Sequence, residues 1–173
     1  MSLWESFDKN EISILLFVVV GYAFLFLLPK KFTREITLLF LLWGFTIGVL
    51  FDFTIGGGLV DFFKLNDSNG YRLFDFLYYL LFAPFSYLFI YFYESFRINK
   101  KTFIWYIVAW AGIGVGMQWV FTLVEIVQFQ KGYKIPFSFP IFLMTQTITG
   151  LYYEFVFSRF KVLKSGLKKP RGY

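Results

Sequence analysis

The sequence predicts an all-α, polytopic transmembrane bundle of five helices. Its composition, its apolar runs and the positions of its cations all indicate this class. Of the 173 residues, 58% are hydrophobic and 16% are charged, and the mean hydropathy is +0.61. Soluble globular domains are about half apolar and about a quarter charged. The chain therefore has too few charged side chains to cover its apolar surface in water.

Five continuous apolar stretches predict the five helices. They lie at residues 12–28, 36–58, 73–95, 103–127 and 141–157. A helix of about 20 residues crosses the ~30 Å hydrocarbon core of a bilayer, whereas the strands of a membrane barrel would alternate apolar and polar residues. The sequence therefore predicts one transmembrane domain over residues 1–157, followed by a basic tail at 158–173.

The first stretch is predicted to be a retained helix and not a cleaved secretion signal. The residues at its start, Glu5, Asp8, Lys9 and Glu11, are net acidic, whereas a signal peptide begins with a basic segment. The stretch also runs into Leu28-Pro29-Lys30-Lys31 without a small-residue cleavage pattern. Because it carries few polar residues, we expect it at the periphery of the bundle.

The cations predict how the helices are oriented. Twelve of the seventeen Lys and Arg fall after helix one, after helix three and in the tail, and five fall on the opposite side. Basic residues near the ends of membrane spans are retained on the cytoplasmic face. We therefore expect a multi-pass protein of the cell (cytoplasmic) membrane, with its N-terminus outside and its C-terminus in the cytoplasm.

The tail at 158–173 holds six basic residues and no acidic residue. Basic segments beside a transmembrane helix are attracted to anionic lipid headgroups, so the bilayer and these headgroups are the predicted partners. The net charge of +6 is also typical of proteins that bind nucleic acid. Cations that flank apolar spans do not form a basic binding face, however, and no nucleic-acid partner is predicted.

Glycines at intervals of four residues predict close helix packing. Helix two carries Gly44 and Gly48, and helix four carries Gly112 and Gly116. Small residues at this spacing let another helix approach closely in a membrane. We predict that these glycines pack within the bundle, against another membrane protein or against a second copy of the chain.

The candidate binding site is a polar cluster of Asp52, Asp75, Gln118 and Glu125. In the predicted orientation, its three acids lie in the outer half of the membrane or at the outer surface. Either the acids pair with nearby cations and tyrosine hydroxyls and stabilise helix ends, or they line a water-filled mouth that attracts a cation or a basic headgroup. Asp52 decides between these interpretations, because a carboxylate set deep between apolar side chains needs a donor or a proton.

Several kinds of chemistry are absent from the sequence. Without Cys or His, the chain cannot form disulfides, the usual zinc sites, or thiol or imidazole catalysts. No metal, no cofactor and no catalytic residue is therefore predicted. The run Gly56–Gly58 is not a phosphate loop, because no Gly-Lys-Ser/Thr follows it.

Segments of helix three and a motif after helix four resemble a known family. They are Leu73–Tyr79, Ala83–Phe89 and Tyr91–Glu94, and then Glu125 followed by Gly132, Tyr133 and Lys134. They resemble small, uncharacterised multi-pass membrane proteins of spore-forming Gram-positive bacteria. The resemblance implies a bacterial cytoplasmic membrane and brings no activity or catalytic residue with it.

Three functions are compatible with these patterns. The sequence favours a non-enzymatic packing or assembly partner, or a protein of membrane or envelope homeostasis. The alternative is a small transporter or channel component with an acidic, outward-facing polar path. A membrane enzyme that acts on a lipid through paired carboxylates comes third.

Overall fold

The computed structural model describes residues 8–65 and 73–167, with side chains described up to residue 162. Within these residues the protein is mostly helical, at 76%. The helices are α1 (Lys9–Leu27), α2 (Arg34–Thr54), α3 (Leu73–Ser95), α4 (Phe103–Leu123) and α5 (Ser138–Leu167), and the strands are β1 (Phe63–Leu65) and β2 (Val127–Phe129). A single 3-10 turn at Ile135–Phe137 leads into α5.

Four of the described helices, α1 to α4, are long and apolar enough to cross a membrane, judged by length and composition. The helical membrane class predicted from the sequence is confirmed at this level. The fifth helix, α5, has 30 residues but is more polar. It carries Thr145, Gln146, Thr149 and Glu154 as well as basic residues near its C-terminal end. Its crossing of the bilayer stays a prediction.

Helices two and four end earlier than predicted. The chain turns out of α2 after Thr54 instead of at 58, and the N–H of Gly58 donates to the carbonyl of Asp52 at 3.2 Å. Helix four stops at Leu123 instead of 127 because Glu125 takes a left-handed conformation, with φ of 63°. The N–H of Ile126 then bonds back to the carbonyl of Phe121 at 3.0 Å, which is a common way to close a helix.

Helix five is longer than predicted at both ends. It begins at Ser138 instead of 141 and continues to Leu167 instead of stopping at 157. The first part of the predicted basic tail is therefore helical. Basic residues are good helix formers, and the first glycine after Gly150 is Gly166. Residues 168–173 of the tail lie outside the described part of the chain.

A short antiparallel ribbon joins the two loops that follow α2 and α4. Its register pairs Phe63 with Phe129, Lys64 with Gln128 and Leu65 with Val127. Beyond the ribbon, Lys131 forms an ion pair with Asp61, with 3.0 Å between Nζ and Oδ2. The sequence does not predict these strands, because three residues are too few to show an alternating pattern. We call this end of the bundle the ribbon end.

The helices pack in two groups. The first, the three-helix group, has α3 at its centre with α1 and α2 packed against it, and the second, the two-helix group, consists of α4 and α5. Helix α3 is the most buried of the four apolar helices and α1 is the least buried. The peripheral position predicted for helix one is therefore confirmed.

Within the three-helix group, α1 compensates for a proline in α3. Pro84 has no N–H, so the carbonyl of Leu80 lacks its usual helical donor. The hydroxyl of Tyr22 on α1 donates to that carbonyl at 3.3 Å. Gly21 leaves room for the proline ring, because a Cβ added there would lie 3.2 Å from Pro84 Cγ. The contact satisfies a backbone acceptor inside an apolar bundle, where leaving it unpaired is costly.

The end of the bundle opposite the ribbon is held by aromatic rings and two hydrogen bonds between α3 and α5. The hydroxyl of Tyr93 donates to Glu154 Oε1, and the hydroxyl of Tyr153 donates to Glu94 Oε2, each at 2.8 Å. The two tyrosine rings also meet edge to face, with 5.3 Å between their centroids. We call this end the tyrosine–glutamate end.

Candidate functional site

A cavity of about 90 Å³ lies between the three-helix group and the two-helix group, toward the ribbon end. Its polar side chains include Asp52 from α2, Gln118 from α4 and Gln146 from α5. Its wall is mainly apolar and rich in aromatic residues, which are Phe51, Phe63, Tyr78, Phe82, Phe85, Trp110, Phe121, Tyr133 and Phe142. A space of this size can hold several water molecules where polar groups can bind them.

Asp52 is buried at the edge of this cavity, with a relative exposure of 6%. It lies in the last turn of α2, where the hydroxyl of Tyr79 on α3 donates to its Oδ2 at 2.5 Å. A Cβ added at Gly56 would lie 2.7 Å from Asp52 Oδ1, so this glycine leaves space for the carboxylate. Asp52 therefore has a tyrosine donor, as the structural interpretation required, and also lines a cavity, as the binding interpretation required.

Gln118 reaches the same cavity from α4. Its Oε1 is buried, and among the described residues no donor bonds to it. Buried side-chain oxygens in proteins are almost always hydrogen-bonded to protein or to ordered water. The structure therefore brings two of the four predicted site residues, Asp52 and Gln118, to one cavity and leaves an acceptor there that no described residue satisfies.

The other two predicted site residues lie elsewhere. Asp75 is buried in the first turn of α3, one turn before Tyr78, and is not among the described residues that line the cavity. Glu125 is exposed in the turn that follows α4. The predicted cluster of four is therefore split, because α4 ends before Glu125 and the α3 wall of the cavity begins at Tyr78.

Two further residues of the site, Tyr79 and Gln146, are not among the four predicted site residues. Tyr79 bonds Asp52 from a position 27 residues away, and a chain with 12 tyrosines and 27 phenylalanines gives no reason to select it. Gln146 offers a clearer signal, because an amide inside an apolar helix should face other helices or water. Its place in the cavity depends on the packing of α5 against α4.

A second cavity, of about 40 Å³, adjoins the first on the side of the tyrosine–glutamate end. The two share Phe51, Phe82, Phe85, Phe142 and Gln146 as lining residues. The polar residues in the second are Trp43, Ser86, Thr145, Gln146 and Thr149. Trp43 Nε1 donates to Thr149 Oγ1 at 3.0 Å, while Ser86 Oγ has no hydrogen-bond partner among the described residues. Polar side chains therefore continue from Asp52 along the space between the three-helix group and the two-helix group.

In the part of the chain that the structure describes, no group of three or more Asp or Glu residues could hold a metal ion. Comparison of the chain with protein-family models, with curated proteins and with solved structures gives no match in any of the three. The resemblance to small membrane proteins of spore-forming bacteria therefore stays a prediction.

Proposed function

We propose that this protein is a small membrane transporter, or a subunit of one, that binds a solute in the cavity between its two helical groups. The observation that carries the proposal is the placement of Asp52. This carboxylate is buried inside an apolar bundle, yet it lines a space with room for a solute. Ionisable residues within membrane-spanning segments often mark a solute or ion pathway.

The packing of the helices supports movement of the solute as well as its binding. The groups on either side of the cavity are internally well packed, whereas the backbones of α3 and α5 approach each other at few positions. The contacts that join them include backbone pairing at the ribbon end, side-chain hydrogen bonds at the tyrosine–glutamate end, and between these ends the hydrogen bond from Trp43 on α2 to Thr149 on α5. A rigid-body shift of one group against the other would open the cavity at one end at a time.

The membrane and the orientation belong to the same proposal. Cations flanking the spans favour a cytoplasmic membrane with the N-terminus outside and the C-terminus inside. The ribbon end, with Asp52, then faces outward, and the tyrosine–glutamate end faces the cytoplasm. The basic C-terminal residues would rest on anionic headgroups.

The experiment uses the absence of cysteine in the chain. Gln118→Cys introduces a single thiol in the cavity, and its labelling by a charged methanethiosulfonate reagent is measured in proteoliposomes. Thiolate is the reacting form, so a thiol in a water-filled cavity reacts and a thiol in lipid does not. Gly57→Cys, in the exposed turn after α2, is the positive control. Gly112→Cys, on the side of α4 that faces away from the rest of the bundle, is the negative control.

We expect Gln118→Cys to react at a measurable rate, faster than Gly112→Cys and slower than Gly57→Cys. If Gln118→Cys stays unlabelled while Gly57→Cys is labelled, charged solutes do not reach the cavity. The transporter proposal is then wrong.

Assembly with other membrane proteins is the second candidate function, and one observation favours it. A Cβ added at Gly112 or at Gly116 would meet no atom of the described chain within 4 Å. Both glycines are exposed on α4, with Ile113 also on that side of the helix. Small residues at this spacing commonly pack transmembrane helices together, so this face would receive a second copy or a partner protein.

A further inference from the structure

Among the described residues that line the cavity, the charged side chain is acidic. Asp52 contributes a carboxylate, and none of the described residues that line the cavity is Lys or Arg. Its described hydrogen-bond partner is the neutral hydroxyl of Tyr79. An ionised carboxylate in a medium of low dielectric constant attracts a cation strongly, because the interaction is little screened there.

The oxygen atoms at the polar edge of the cavity also favour a ligand that donates hydrogen bonds. Gln118 Oε1 is a buried acceptor without a donor among the described residues. Asp52 accepts one bond from Tyr79 through Oδ2, and a carboxylate can accept several more. A ligand with N–H groups would satisfy these oxygens, whereas an anion would be repelled.

The aromatic wall favours an organic cation over a bare metal ion. Phe51, Phe82, Phe85 and Phe142 line both cavities, and Trp110 lines the larger one. Ammonium groups bind against aromatic faces through cation–π attraction, and aromatic residues are the usual recognition surface for quaternary ammonium groups. Alkali and alkaline-earth ions require a shell of oxygen ligands instead.

We propose that the solute is a small organic ammonium. This assignment rests on the proposed function, because it names the substrate class of the transporter. The positive head lies against Asp52, any N–H groups donate to Asp52 and Gln118, and the apolar part contacts the phenylalanine rings. The cavity of about 90 Å³ is smaller than the ~150 Å³ cavity that holds benzene, which limits the occupant to a few heavy atoms.

The first test compares two reagents of similar size and opposite charge on Gln118→Cys. The cationic reagent is trimethylammonioethyl methanethiosulfonate, and the anionic reagent is sulfonatoethyl methanethiosulfonate. Rates are divided by those of Gly57→Cys to remove intrinsic differences between the reagents. We expect a preference for the cationic reagent of about tenfold or more. Asp52→Asn should remove this preference, whereas Asp61→Asn should preserve it, because Asp61 is not among the described residues that line the cavity.

The second test measures protection of the same thiol by tetramethylammonium chloride or potassium chloride at equal ionic strength. Tetramethylammonium should slow the labelling of Gln118→Cys and leave Gly57→Cys unaffected. Calorimetric titration of the cysteine-free parent with tetramethylammonium gives an independent reading, since binding should be lost in Asp52→Asn and kept in Asp61→Asn.

The outcomes separate the two proposals. If Gln118→Cys is labelled but shows no charge preference and no protection, the substrate class is wrong and the transporter proposal stands. If potassium protects as well as tetramethylammonium, the ligand is an inorganic cation and the assignment is again wrong. If Gln118→Cys is not labelled and the parent does not bind tetramethylammonium, both proposals are wrong.

Discussion

The glycines of α2 and those of α4 share one spacing but lie in opposite surroundings. Gly44 and Gly48 face α3, where a Cβ at Gly44 would collide with the carbonyl oxygen of Phe82 and lie 2.7 Å from Ser86 Cβ. Gly112 and Gly116 are equally spaced, yet an added Cβ would meet no described atom within 4 Å. The glycines of α2 therefore pack against α3, whereas packing of Gly112 and Gly116 against a second copy or another membrane protein stays a prediction.

The packing glycine of α4 within the bundle is Gly114. A Cβ there would lie 2.8 Å from Phe142 Cδ1 on α5. Residues two positions apart point about 200° apart on a helix, so Gly114 lies nearly opposite Gly112 and Gly116. Glycine spacing therefore predicts which residues share a face, whereas the fold decides what that face meets.

The largest expected effect is that of Gly44→Leu. Its side chain must occupy space held by the backbone of α3, which cannot rotate away as a side chain can. We expect a loss of about 3 kcal/mol or more in the free energy of unfolding, at or above the usual range for overpacking. Unfolding by SDS titration in mixed micelles, followed by far-UV circular dichroism, measures the loss.

Gly112→Leu is the matched control, with the same residue change in a helix of the same length. It should leave the unfolding free energy of the monomer within about 1 kcal/mol of the parent. Equal destabilisation by both variants would contradict the contrast between α2 and α4.

An intermediate effect is expected for Gly48→Ala. Its Cβ would lie 2.7 Å from Phe82 Cδ2, in contact with a ring that can shift. We expect a loss of about 1–2 kcal/mol, measured by the same titration. Combining it with Phe82→Leu should recover part of the loss in a double-mutant cycle. Simple additivity would show that the ring does not carry the strain.

The smallest effect, and one of opposite sign, is expected for Gly116→Ala. Alanine is the better helix former by about 1 kcal/mol in a helix interior, and no described atom opposes its Cβ. The variant should therefore unfold slightly later in the same titration. A clear loss of stability would indicate that something packs closely on this face.

The same face provides the test of assembly. In mild detergent, the oligomeric state of the parent is compared with that of Gly112→Leu combined with Gly116→Leu. Assembly through α4 predicts oligomers in the parent and monomers in the double variant. A parent that is already monomeric, or oligomers unchanged in the variant, would remove this second candidate function.

Much of the fold could be predicted because its signals are local. Apolar runs and helix-forming composition placed all five helices, and the positions of their cores were correct to within a few residues. The errors fall at the helix ends. Glu125 closes α4 through a left-handed conformation that a non-glycine residue rarely adopts, and the ribbon forms between segments about 60 residues apart.

The candidate site could be predicted only in part. Asp52 and Gln118 stand out as polar residues inside apolar helices, and both line the cavity. Asp75 and Glu125 met the same criterion but lie outside the described lining. Position along a single helix does not show where the space between helices begins and ends.

The sequence by itself determined that the chain forms apolar helices, four of them long and apolar enough to cross a membrane, with a few polar residues inside them. Hydrophobic length and charge placement act segment by segment, so they can be evaluated without knowing what packs where. The tertiary structure alone decided that Tyr79 bonds Asp52, that Trp43 bonds Thr149 across 106 residues, and that a cavity lies between the two helical groups. These features depend on side-chain packing between distant segments, because whether two helices touch or leave a space depends on the shapes of both.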